Sequence, residues 1–452
     1  MGKRIVSVFI TFMLLLSVQA VQAETKDQKD WQEETAYYVE VDRFHNGNPH
    51  NDGEDFNPED PLAYHGGDLE GLTKKIQYIK DMGFSTLILS SIFEEGFEGE
   101  RIDSHYGTVE DLKALVDEAH KQELLVMVEF DLERLDLSSN KGKDNLLAFT
   151  QKWLVEANID GFYLHYADLF DATYWESVLQ EVKEEELYLV GTFKAYDEKK
   201  LAAYLEAGFD SILNKPFYKI GTETFSNVDQ PQDSLINLVQ HTPNRITNYF
   251  DNDETVRFTR YAIEQNQHPG NRFKLAFSFL YTIPGTPFVY YGSEIAVDGA
   301  EPPTNRPLMN FQSDEELIEY IGKLATIRNN LPALSKGDFN VLYEQDGMMI
   351  FKRTFEGESI LVAINNSTKT QKVRIQASEI ADDKKLQGLL TGDTFSEENG
   401  EYEFILEREV SEIYEIKENT GFNIPLLSVF ILVPTLFIGF LILARRKGKK
   451  VG

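Results

Sequence analysis

From Thr35 onward the chain alternates short runs rich in β-branched and aromatic residues with longer segments whose apolar positions recur every three to four residues. The runs are Ala36–Phe44, Thr86–Phe93, Leu124–Asp131, Gly161–Ala167, Leu187–Phe193, Ser211–Phe217, Arg245–Asn252 and Pro287–Ile295. The intervening segments read as amphipathic helices. One begins at Thr108, which predicts an N-cap with Asp111 answering it three residues later. It carries Leu112, Leu115, Val116 and Ala119 on one face. Eight runs alternating with helices predict an α/β fold, a (β/α)8 TIM barrel over 31–330. Catalysis or binding in such a barrel is expected at the C-terminal ends of the strands.

The period changes after a helical stretch from Asp314 to Asn330. From Gly337 the apolar runs FNVLYE, MMIFKRTF, SILVAINN, QKVRIQ and YEFILE are short and separated by turns. They predict a small antiparallel β-sandwich domain over 336–417. Residues 425–444 carry no charge and reach the length of a bilayer-spanning helix. The basic residues of 445–452 put that end in the cytoplasm by the positive-inside rule. At the other end, Lys3 and Arg4 precede an apolar stretch, and Val21-Gln22-Ala23 offers a cleavage site, so 1–23 reads as a signal peptide. Together these predict a single-pass protein of the cell membrane. Its body is then extracytoplasmic, its C-terminus cytoplasmic, and the bacterium Gram-positive.

Composition narrows the field. The formal net charge is −31, from 44 basic and 75 acidic residues. That excludes a phosphate-neutralising face, so nucleic acid is not expected as a partner. There is no cysteine, which excludes disulfides, thiolate metal sites and cysteine nucleophiles.

Several long motifs stand in order along the chain: AYYVEVDRFHNGNPHND, YHGGDLEGLTKKIQYIKDMGFSTLILSSIF, HYGTVEDLKALVDEAHKQELLVMVEF, NIDGFYLH and TIPGTPFVYYGSEIA with NRPLM. From Trp31 to Lys417 the sequence resembles the α-amylase family, glycoside hydrolase family 13. The resemblance implies a retaining cleavage of α-glucosidic bonds by a nucleophilic carboxylate and a carboxylic acid about 5–5.5 Å apart. It also implies a third carboxylate that grips the sugar, and an Arg two residues before the nucleophile that keeps it ionised.

The family positions are altered here. The nucleophile position is His165 and its Arg is Tyr163. The acid position is Thr192, and the Asn-His-Asp of the seventh strand reads Asn252-Asp253-Glu254. A slip of one residue makes Asp253 the third carboxylate instead. On the third strand Glu129 replaces Asp, and Glu133-Arg134 replace Asn-His. A threonine hydroxyl cannot serve as a general acid near neutrality. The segment from Asp131 to Gly161 leaves room for a short loop and one helix where the family inserts its domain B. Three carboxylates, Glu129, Asp131 and Glu133, alternate along one run, and with Asp251, Asp253 and Glu254 they predict an acidic barrel mouth. Asp168 and Asp171 are further candidates to replace the nucleophile.

One feature of the neopullulanase and cyclodextrin-forming branches is kept. Asn46, Asn48, Asn51 and Asp52, with Gly66 and Asp68, match their structural calcium site. The expected protein is therefore a membrane-anchored α-amylase-family pseudoenzyme. It acts in α-glucan or other glycan binding, or as an envelope scaffold. Two alternatives stand beside that reading. One is an active α-glucan hydrolase or transglycosidase with relocated carboxylates. The other is a structural partner of another membrane protein.

Overall fold

The computed structural model describes residues 30–94, 101–134, 140–182, 187–313, 315–419 and 424–448. The expected signal peptide, 1–23, and the last residues of the basic tail, 449–452, lie outside them.

Eight parallel strands close into a barrel in chain order: β1 Ala36–Val39, β2 Thr86–Leu89, β3 Leu125–Asp131, β4 Gly161–His165, β5 Tyr188–Gly191, β6 Ser211–Leu213, β7 Ile246–Tyr249 and β8 Thr286–Tyr290. β1 pairs with β8 to complete the ring. Most strands are buried along their whole length, as expected of a sheet covered on both faces. Each strand is shorter than the apolar run that predicts it. The surplus residues are apolar because they line the barrel top and the first turns of covering helices. Ser211–Phe217, for example, splits into β6 and the start of the helix Lys215–Phe225. The helix after β2 runs Val109–Lys121 with the expected Thr108–Asp111 capping box, and its buried face is Leu112, Leu115, Val116 and Ala119.

The region from Asp338 to Glu418 forms a six-stranded antiparallel sheet and a two-stranded ribbon. Strand periodicity splits the sheet cleanly. Met349, Phe351, Ile360, Val362 and Ile364 join the barrel's core, whereas Met348, Ile350, Leu361 and Ala363 pack with Val373, Ile375, Tyr402 and Phe404 of the ribbon. Three strands of the sheet, Lys384–Gly388, Thr394–Ser396 and Val410–Glu418, fall outside the five runs read from sequence. Two are short, and the third interleaves its apolar positions with Glu412 and Glu415.

Residues Ile424–Gly448 are helical. Among the described residues, no helix is long and apolar enough to cross a membrane. That finding overturns the expected anchor at 425–444, together with the membrane partner and the cell-membrane location that rested on it.

Candidate functional site

The barrel mouth gathers its charged groups from strand ends far apart in sequence. His165 closes β4, Glu129 sits inside β3, and Asp253 and Glu254 follow β7. The register pairs Asp131 with His165 and Glu129 with Tyr163. Glu129 therefore enters one layer below the imidazole, and its longer stem carries the carboxylate up to it. His165 Nδ1 lies 3.8 Å from Glu129 Oε1. On the other side of the ring, Nε2 lies 3.5 Å from Glu254 Oε1, yet it makes no hydrogen bond although buried.

Two tyrosines fix the carboxylates. Tyr38 donates to Glu129 Oε2, and Tyr166 donates to Glu254 Oε1 at 2.5 Å. Tyr166 also stacks on the imidazole, with ring centroids 4.1 Å apart. Its backbone φ of 63° is left-handed, a strained conformation for a bulky residue. The Tyr166 amide donates to Thr192 Oγ1 at 2.9 Å, so Thr192, in the family's acid position, holds the turn that presents Tyr166. Arg306 closes the far side, its Nη2 lying 3.9 Å from Asp253 and its Nε 3.7 Å from Glu40.

These surroundings pull the proton equilibria apart. Burial by itself lowers the pKa of His165. The contact with Glu254 and the charges of Asp253 and Glu129 more than reverse this and raise it to about 10. Glu129 is pushed up to about 7, chiefly by burial, which the imidazolium only partly opposes. Burial acts on Glu254 in the same direction, but the contacts from His165 and Tyr166 prevail and hold it down at about 2. At neutral pH the mouth therefore presents an imidazolium beside an ionised Glu254.

The remaining sequence candidates disperse. Asp131 accepts from the Glu133 amide, and Glu133 leaves the strand for a short helical turn, where it is exposed and pairs with Lys194. The acidic face expected from their alternation is thus reduced to Glu129. Asp251 is spent on the Phe258 amide and the Ser293 hydroxyl. Asp168 accepts from the Lys194 and Ala195 amides, and Asp171 from the Tyr174 amide. Sequence reasoning missed Tyr38, Tyr166, Arg306 and Glu40 as site residues. Arg306 lies in the NRPLM motif; a tyrosine or a buried glutamate carries no local signal of its role.

On the loop after β1, Asn46 Oδ1 and Asn51 Oδ1 are buried and accept no hydrogen bond. Asn46 Nδ2 donates to Asp52 Oδ1 at 2.8 Å. Gly66 has φ +94°, and a Cβ there would meet Asn46 Nδ2 at 2.6 Å and Asp52 Oδ1 at 3.2 Å. Orphaned amide oxygens beside a carboxylate, in a cradle kept open by glycine, fit a hard cation. Asn48 and Asp68 serve otherwise. The Asn48 Oδ1 accepts from the His50 amide, and Asp68 accepts from the Gly47, Asn48 and Gly71 amides as the cap of Leu69–Thr73. Among the described residues, no group of three or more His, Asp or Glu is placed to hold a metal ion, so any cation here relies on amide oxygens.

Residues 38–133 match the family described as alpha amylase, catalytic domain, and residues 337–414 match alpha-amylase C-terminal domain. An α-amylase from Anoxybacillus has a similar structure, with 37% identity, a TM-score of 0.83, and coverage of 87% of this chain and 100% of that one. An α-amylase from Geobacillus thermoleovorans, solved with acarbose, has 32% identity and a TM-score of 0.81 over 87% of this chain and 100% of its own. A β/α-amylase of Paenibacillus polymyxa is 27% identical over 82% of this chain, which spans only 37% of that protein. These findings overturn the expectation of an inactive, membrane-anchored scaffold. The relatives that match the chain along its fold are amylases, and the anchor is not borne out.

Proposed function

The chain belongs to the α-amylase family, and on that premise we propose that it is a hydrolase or transglycosidase of α-glucans whose reacting groups have moved within the barrel mouth. The observation that carries this is the buried pair of His165 Nε2 and the anionic Glu254, 3.5 Å apart, a cationic proton donor beside a carboxylate at the barrel mouth. The separation is longer than an ordinary hydrogen bond, and a glycosidic oxygen seated beside Nε2 is placed to take its proton.

In this reading the imidazolium gives its Nε2 proton to the glycosidic oxygen as the bond to the anomeric carbon breaks. Glu129 keeps the proton on Nδ1, and the neutral ring is left in the matching tautomer. Glu254 faces the developing positive charge and stabilises it; once the leaving sugar departs, the water or sugar hydroxyl that replaces it attacks the carbon and returns a proton to the neutral imidazole. His165 also does for Glu254 what the family's Arg does for its nucleophile: a nearby cation holds the carboxylate ionised. A donor of pKa about 10 is weaker than one matched to neutral pH, so turnover is expected to be slow.

Two finer readings accompany the proposal. We read domain B as essentially absent; what supports this is that the described residues between β3 and β4 are a short helical turn, Leu132–Arg134, and the helix Asn140–Ala157. Calcium, held by Asn46, Asn51 and Asp52, would pin the β1 loop structurally.

The experiment is release of reducing ends from maltodextrin and cyclodextrin by the purified chain. Activity that disappears in both Glu254→Gln and His165→Gln supports the assignment. The absence of turnover by the wild type between about pH 5 and pH 9, inside the window bounded by Glu254 at about 2 and His165 at about 10, refutes it.

A further inference from the structure

A groove of about 1190 Å³ runs outside the barrel along the helix Lys215–Phe225, between it and the helix Phe258–Glu264. It is open to solvent and large enough to take a ligand of several sugar rings. Three tyrosines line it: Tyr196, Tyr218 and Tyr261. Tyr218 has one face stacked on Tyr249 of β7, with an interplanar angle of 5°. Its hydroxyl stands 3.4 Å from that of Tyr261, which fixes the pair side by side.

Beside the rings lie the amides of Asn227, Gln230 and Gln265. Asn227 donates to Gln265 at 3.3 Å and accepts from Gln267 at 3.3 Å. Bonds that long are easily exchanged for sugar hydroxyls. Lys215, Lys219 and Glu223 supply the charge, nearly balanced, which suits a neutral ligand better than a polyanion. Aromatic faces flanked by planar amides are the chemistry that binds a neutral polyol: apolar ring faces pack on tyrosine, and hydroxyls pair with amides. One lining residue, Lys215, stands near the mouth. Lys215 directly follows Asn214 at the end of β6, and its charge helps hold Glu254 ionised.

We infer that this groove is a second saccharide site, which binds a neutral oligosaccharide outside the reacting centre and leads the strand toward it. The inference deepens the α-glucan reading proposed above and rests on it for the identity of the sugar.

The test is calorimetric titration of the full chain with maltoheptaose, paired with turnover of maltotriose, too short to reach the groove from the centre. Tyr261→Ala is expected to weaken the groove class of sites at least tenfold and to leave maltotriose turnover unchanged. Tyr261→Phe, which keeps the ring, is expected to bind as wild type and so reports a folded groove. Glu254→Gln is expected to lose turnover and keep the groove class. Wild-type affinity in Tyr261→Ala overturns the inference. If the wild type shows no turnover but still binds maltoheptaose in a Tyr261-dependent way, the catalytic proposal falls and the groove stands.

Discussion

Replacing His165 by Gln removes the cation between Glu129 and Glu254, and its consequence for stability follows from the proton equilibria. The imidazole's pKa rises from 6.5 to about 10 in the folded chain. A group whose folded pKa is raised contributes stability that is complete below its unfolded pKa and is lost as pH climbs through the folded value. Each tenfold change in the proton equilibrium is about 1.4 kcal/mol. The contribution is therefore on the order of 4 kcal/mol near pH 6–7 and falls to a few tenths by pH 10. That agrees with the about 3–5 kcal/mol lost when one partner of a buried ion pair is removed. The imidazole side chain is 11% exposed, so water screens it little. The shifts of Glu254 and His165 record the same contact and are counted once. The assay is urea unfolding of wild type and His165→Gln at several pH values from about 6 to about 10. The wild type is expected to lose stability over that range, and the variant to start several kcal/mol lower with a shallower slope, the remainder coming from Glu129, whose raised carboxyl also releases its proton there. A variant within about 1 kcal/mol of wild type near pH 6, with the slope unchanged, shows that the imidazolium is not held by its carboxylates.

Three further outcomes are expected. Glu129→Gln removes the carboxylate below the ring, which lowers the imidazolium's pKa from about 10; the alkaline limb of the rate profile should move to lower pH. Tyr166→Phe takes away a donor to Glu254, so its carboxyl titrates above its present value of about 2, which NMR of the side-chain carboxyl reads directly. A chelator is expected to lower the melting temperature of the wild type, and Asp52→Ala to abolish that difference. Asp68→Ala should instead cost about 1 kcal/mol with or without chelator, the penalty of losing a helix cap.

Much of the fold is legible in the chain because barrel strands and helices are written in local periodicity. The capping box at Thr108 and the buried face of its helix follow from residues within one or two turns of each other. The β3 reading fails at Glu133 because strand alternation was carried past Asp131, where the backbone turns into a short helical segment. Asp68 reads as a metal ligand in the sequence, and in the structure its carboxylate caps Leu69–Thr73. In sequence the two roles look alike, since each needs a carboxylate beside a glycine-rich turn.

The sequence alone determined the barrel, the sheet region that follows it, and the identity of the groups at His165, Thr192 and Glu254. What it could not contain was their neighbours. Tyr37 donates to Glu294 across a separation of 257 residues, and His165 meets Glu129 and Glu254 only because three strand ends converge at the mouth. The charge state of an imidazole depends on what stands within a few ångströms of it in space. Only ring closure of the barrel brings those carboxylates there, and so only the tertiary structure makes His165 a persistent cation.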